Sequence, residues 1–168
     1  IQGARGERDS YNSAGRNGGD KGAREKASLE SSYVFGQDVE HRLTAAVDLE
    51  RETFQNTSPP SPWGADLTKR HIDNFGAVLE YQLTAGDRLG LGAAWRHDDN
   101  DLFDDADTYR LQASYRLTDS FRIRGAAGTG IRNPGQTELF GYNAAVYAFV
   151  GNPDLKPEES EGWEIGVE

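Results

Sequence analysis

The side chains able to do chemistry are unevenly placed along the chain. Between His97 and Thr108 the sequence reads Asp98-Asp99-Asn100-Asp101 and then Asp104-Asp105-Ala106-Asp107. Oxygen-rich loops suit calcium, which takes about 6–8 oxygen ligands, and Asp98, Asp99, Asp101, Asp104 and Asp105 are the candidate donors. The stretch lacks the Gly and the terminal Glu of an EF-hand loop, so a solvated acidic loop is the competing reading. His41, His71 and His97 are far apart with no metal-ligand spacing, and no Cys is present to supply a thiolate site or a thiol nucleophile. No Ser, His and Asp set can be placed as a nucleophile with its base. The glycines of Leu89-Gly90-Leu91-Gly92 and Gly128-Thr129-Gly130 lack the following helix that dinucleotide binding needs. An enzyme is not expected, nor any cofactor beyond the candidate calcium. Binding is better served. Trp63, in Ser58-Pro59-Pro60-Ser61-Pro62-Trp63-Gly64, and Tyr142 and Tyr147 offer rings for stacking on a ligand, against the plainer reading that a loop aromatic packs locally.

The arginines Arg96, Arg110, Arg116, Arg122 and Arg124 are more ordered, because they follow a period. In Phe75 to Leu83, Arg88 to Arg96, Tyr109 to Leu117 and Phe121 to Thr129, apolar residues recur at every second position, the period of a strand with one apolar face. One parity holds Phe75, Leu79, Tyr81, Leu91, Trp95, Tyr109, Tyr115 and Ile123 and, up to Ala127, no polar side chain. The other holds every charge of these stretches: Glu80, Arg88, Arg96, Arg110, Arg116, Arg122 and Arg124.

Further strands are expected at Lys26 to Phe35, Val39 to Phe54 and Trp163 to Val167, about seven in all. Turn-forming stretches, Gly36-Gln37-Asp38, Thr84 to Arg88 and Thr118-Asp119-Ser120, alternate with long connections, Gln55 to His71, His97 to Thr108 and Arg132 to Glu161. Outer-membrane barrels keep this rhythm, with short turns on the periplasmic side and long loops outside. If the long loops mark the upper side, Phe75, Trp95, Tyr109 and Trp163 fall at upper strand ends, and Tyr33, Phe35, Tyr81, Tyr115 and Phe121 at lower ends. That is the two-girdle pattern of a lipid-facing wall, and the arginines then face the lumen. Phe54 breaks the parity of its strand and is read as a bulge or an inward ring. A soluble β-sandwich binding module also alternates, but six Arg and one Glu on adjacent strands would be costly in a packed core.

Composition bounds the rest. The chain has 168 residues, 18 Lys and Arg, 28 Asp and Glu, and a net charge of −10. The acidic balance argues against nucleic-acid binding, which needs clustered cations. No apolar run approaches the ~18 residues of a membrane helix. The four clearest strands carry a net of +5 against the chain's −10, so the remainder carries −15 and the acidity belongs to loops and turns.

The most specific stretch runs from Arg124 to Glu168. It contains Gly128-Thr129-Gly130, then Arg132, Pro134, Glu138-Leu139-Phe140-Gly141, then Gly151-Asn152-Pro153-Asp154-Leu155-Lys156-Pro157-Glu158, Ser160, and Trp163-Glu164-Ile165-Gly166-Val167-Glu168. This resembles the β-barrel of TonB-dependent outer-membrane receptors, with Gly135 a departure where that family often carries Ser or Thr. The resemblance implies an all-β antiparallel meander forming part of a 22-stranded transmembrane barrel in the bacterial outer membrane. It also implies a plug domain, a TonB contact, and energised import of a ferric siderophore or cobalamin, the Phe149-Val150-Gly151-Asn152-Pro153 and Gly162-Trp163-Glu164 stretches looking closest to the cobalamin branch. Residues 1–168 are then expected to be a partial barrel domain without plug or C-terminal strands, its partners being TonB through that plug, the lipid bilayer and the ligand. A self-contained small outer-membrane barrel with a structural or adhesive role is the remaining alternative.

Overall fold

The computed structural model describes residues 1–59, 67–143 and 148–168. Eight strands form one antiparallel meander in which each pairs with its neighbour in sequence. They are β1 (Gln2–Asn12), β2 (Gly15–Phe35), β3 (Val39–Asn56), β4 (Arg70–Ala85), β5 (Leu89–Asn100), β6 (Ala106–Thr118), β7 (Phe121–Arg132) and β10 (Glu158–Val167). The β7–β10 connection carries a single-turn helix α1 (Gln136–Phe140) and a small hairpin of β8 (Tyr142–Asn143) and β9 (Ala148–Phe149). The sheet does not close: β1 and β10 each have one neighbour.

The lower turns follow from local chemistry. Gly36 adopts φ of 95° and Gly86 φ of 55°, a region that side chains disfavour, and a Cβ on Gly36 would collide with the Val39 carbonyl. At the third lower turn, the Ser120 amide donates to Thr118 Oγ1 at 3.3 Å.

Two expectations need correction. The large sheet has eight strands rather than about seven, because β1 is a strand as well, joined to β2 by a two-residue turn with Asn12 paired to Gly15. The Asp-rich segment is mostly strand, with only residues 101–105 between β5 and β6. The reason is common to both. β2 has 21 residues, whereas a bilayer-crossing strand takes ~9–11 tilted ones, so its upper half extends beyond such a span and has no cause to alternate.

Within the lower span the register keeps one parity from strand to strand, down to a bulge between Arg116 and Thr118 beside the β6–β7 turn. Tyr33, Leu43, Tyr81, Ala93, Leu111, Ala127 and Trp163 form a single cross-strand row on the apolar face. The described residues contain almost no core: the buried hydrophobics are Phe54, Ile72 and Leu139, while Leu29, Leu49, Leu79, Leu111, Trp163 and Ile165 are exposed. A soluble sandwich would have to cover this face. Its lower rim is a run of rings, with Tyr33 on Phe35, Phe35 on His41 and His41 on Tyr81, centroids 5.6, 4.9 and 6.0 Å apart. At the upper rim the Trp95 indole N–H donates to Asp107 at 2.9 Å, the amphipathic placement of an interfacial ring.

Candidate ligand-facing wall

The opposite face is charged, and most of its charges are matched. Arg96 on β5 donates to Asp98 on its own strand, Nε to Oδ2 at 2.7 Å, and reaches across β4 to Asp48, at 3.1 and 3.3 Å. Lys26 bridges Asp48 and Glu50, and Arg24 bridges Glu50 and Glu52. Lower down, Arg116 meets Asp87 at 3.1 Å, and Arg122 and Arg124 share Glu168. Arg110, in one row with Glu80, Ala94 and Gly128, has no ion-pair partner among the described residues. Register thus brings Arg96, Arg110, Arg116, Arg122 and Arg124 to one face, the face that also carries Phe54.

Over the upper part of this face folds the β7–β10 connection. Leu139 of α1 is 1% exposed, and the Arg70 guanidinium of β4 lies 4.3 Å from the centre of the Phe140 ring. Both ends of the connection are tied together. Arg132, the last residue of β7, donates to both Glu138 carboxylate oxygens at 3.0 and 3.1 Å and to Glu158, the first of β10, at 3.2 Å. Glu138 also accepts the Gly135 N–H at 2.6 Å, and its carbonyl accepts the Asn152 N–H at 2.9 Å. The Gly135 amide first, and the Arg132 guanidinium second, hold the Glu138 carboxyl below the usual carboxylate range. Gly151 packs against the Leu139 and Gly141 backbones so closely that a Cβ there would overlap them. The Arg-x-Pro…Glu-Leu-Phe-Gly and Gly-Asn-Pro-Asp residues are therefore one folded unit laid across the polar face. A recess of about 460 Å³ remains beneath it, lined in part by Lys26, Asp48, Arg96, Asn100 and Pro134.

Other candidates scatter. Trp63 and Tyr147 lie outside the described residues; Tyr142 sits in β8 directly after the folded turn. The five aspartates are not brought to one point: Asp98 holds Arg96 on the polar face, Asp99 pairs with Phe75 on the other, and Asp104 and Asp105 are exposed. Asp101 joins a different trio, with His71 and Asp73, whose ligand atoms lie within 4.8 Å of one another. Asp73 is already engaged by two hydrogen bonds from Arg51. Sequence reasoning missed the acidic partners Asp48, Glu50 and Glu52. Their alternate spacing along β3 carried the signal, but only the register sets them beside Arg96, Lys26 and Arg24.

An antiparallel meander, apolar and ringed by aromatics on one face and lined by paired charges under a folded loop on the other, has the two-faced build of a membrane β-barrel wall. Residues 2–168 match the family model for the TonB-dependent receptor-like β-barrel, and the chain belongs to that family. Solved structures share the fold. Among them are the siderophore receptor PirA from Pseudomonas aeruginosa, with a TM-score of 0.76 at 18% identity over 90% of this chain and 30% of that one. The ferric enterobactin receptor PfeA from the same organism, solved as a mutant in complex with enterobactin, gives 0.78 at 16% identity over 98% and 29%. The Serratia marcescens hemophore receptor HasR, in complex with its hemophore HasA and heme, gives 0.70 at 15% over 90% and 30%. The chain thus spans less than a third of the length of these receptors.

Proposed function

We propose that the chain is part of the wall of a bacterial outer-membrane receptor that imports a scarce ligand, a ferric siderophore or cobalamin. Energy reaches the full protein through TonB acting on a plug domain within the barrel. The observation that carries this reading is the division of one sheet into a lipid-suited face and a charge-paired face with the β7–β10 connection folded onto it. In that orientation Arg96, Arg110, Arg116, Arg122 and Arg124 line the lumen, and the tight lower turns face the periplasm. Trp63, Tyr142 and Tyr147 then belong to loops that meet the ligand outside. The similar receptors are named for siderophores and for a hemophore with heme, so iron chelates head the ligands to test.

The test is deletion of the complete gene in its own bacterium, followed by uptake of radiolabelled ferric enterobactin, ferrichrome, heme and cyanocobalamin. Loss of one uptake, abolished equally by collapsing the proton-motive force, is the expected result. Undiminished uptake of all four would remove the import reading.

A further inference from the structure

We infer that the upper polar face holds a recess for an uncharged, amide-bearing portion of the imported ligand, with Gln136 over a floor of glycine backbone; this rests on the import reading. Gly6, Gly22, Phe54 and Arg70 form one cross-strand row on the polar face. A Cβ built on Gly6 meets nothing within 4 Å, and one on Gly22 meets only the Thr53 carbonyl, at 3.7 Å. Neither glycine has the positive φ that a turn would require, so neither is glycine for backbone reasons. Two adjacent positions are bare where side chains would fit, and they leave a recess of about 660 Å³ between the wall and α1.

The surroundings specify what would fill it. On its walls, Arg8 holds Asp20 at 2.7 Å, and Arg24 holds Glu50 at 2.7 Å and Glu52 at 3.7 Å. Arg5, Arg8 and Arg24, the cations that line the recess, each have a carboxylate within ion-pair distance, so none of these three is left over for an anion. Gln136, which lines the recess from α1, is only 9% exposed, and neither its amide nitrogen nor its oxygen has a partner. One row above the glycines, Asn56 is 2% exposed and its Nδ2 is also unpaired, while its Oδ1 accepts the Ser58 N–H. Buried polar groups are almost always hydrogen-bonded, and a carboxamide offers donors and an acceptor side by side. A primary amide on the ligand, with an N–H and the C=O on the same side, satisfies the Gln136 nitrogen and oxygen at once, and the bare backbone lets it approach closely.

The experiment uses the full-length receptor in detergent, with calorimetric titration of two uncharged, amide-rich probes, ferrichrome and cyanocobalamin, and of the triply anionic ferric enterobactin. One of the uncharged probes is expected to bind more tightly than the anionic one. Gln136→Leu and Gly6→Val should each weaken it about tenfold or more, the loss expected for an unmatched hydrogen-bonding group. Gln136→Leu removes an unpaired buried amide, so its melting temperature should hold or rise; a merely structural role would lower it. Unchanged binding in both folded variants, or tighter binding of ferric enterobactin than of both uncharged probes, overturns the recess. Uptake that depends on the gene but ignores both substitutions removes the recess and leaves the import reading standing. Uptake that survives deletion of the gene removes both.

Discussion

Gly76 sets whether the largest ion-pair network on the wall can form. It lies between Asp48 and Asp98 in their cross-strand row, and a Cβ on it would overlap the Arg96 guanidinium and stand 2.8 Å from Asp48 Oδ2. The residue is glycine because Arg96 crosses over it. Gly76→Ala is expected to detach Arg96 from Asp48 while leaving Asp98 in reach, at a cost of about 1–3 kcal/mol, read as a lowered urea midpoint of the folded barrel. At the loop, the sign of the pH effect follows from Glu138. Its carboxyl is held below the ordinary range in the folded state, so it stabilises the β7–β10 unit at pH values above the unfolded carboxylate range. That contribution fades as pH falls through the folded-state value. Protease protection of the connection should therefore be full at neutral pH and decline below about pH 4, where even unfolded carboxylates take up protons. Glu138→Gln should flatten that decline; an unaltered acid profile in this variant would count against the assignment. The pairing of Arg132 with Glu138 could not be read from the sequence, because the five intervening positions specify neither a helix nor its direction.

Strand existence was legible wherever the two faces meet different media. Lipid on one side and water on the other force the period of two seen in the lower parts of β4 to β7, where Glu80, Arg96, Arg110, Arg116, Arg122 and Arg124 all fell on the parity that the register made one face. β1 and the upper part of β2 were missed because polar solvent bathes both sides, and Gly-Arg-Asp sequence reads as loop. Asp98 and Asp99 were read as loop donors for the same reason, yet β5 carries them to opposite faces. Leu79, on the apolar face of β4 between Phe75 and Leu83, tests the membrane assignment of these elements. Leu79→Arg should cost about 2–4 kcal/mol of folding free energy in lipid vesicles, whereas Gln112→Arg, on the opposite face, should cost little. Equal penalties at the two positions would contradict a one-sided lipid contact.

At the level of the whole molecule, the sheet has two unpaired edges and an apolar face with nothing packed on it. Residues 1–168 produced alone are therefore expected to associate into β-rich aggregates in detergent-free buffer, since exposed edges recruit further strands. Sedimentation and far-ultraviolet dichroism provide the check, and a cooperatively unfolding soluble monomer would refute the expected association. The net charge of −10 does not prevent this, because its cations and anions are spatially sorted and largely matched along the polar face.

The sequence by itself determined the class of the wall: a period of two, rings at both strand ends and a turn rhythm are local consequences of meeting lipid, interface and water in order. It also held, in the Arg132 to Ser160 residues, the marks of the folded connection. Long-range pairing sets which charges neutralise which, turns Phe54 inward, and brings the bare glycines and the unpaired Gln136 amide to one recess. These depend on register, which joins residues tens of positions apart. A shift of one residue would reverse every face, and no short-range pattern records the pairing of β1 with β2 or the path of α1 across the sheet.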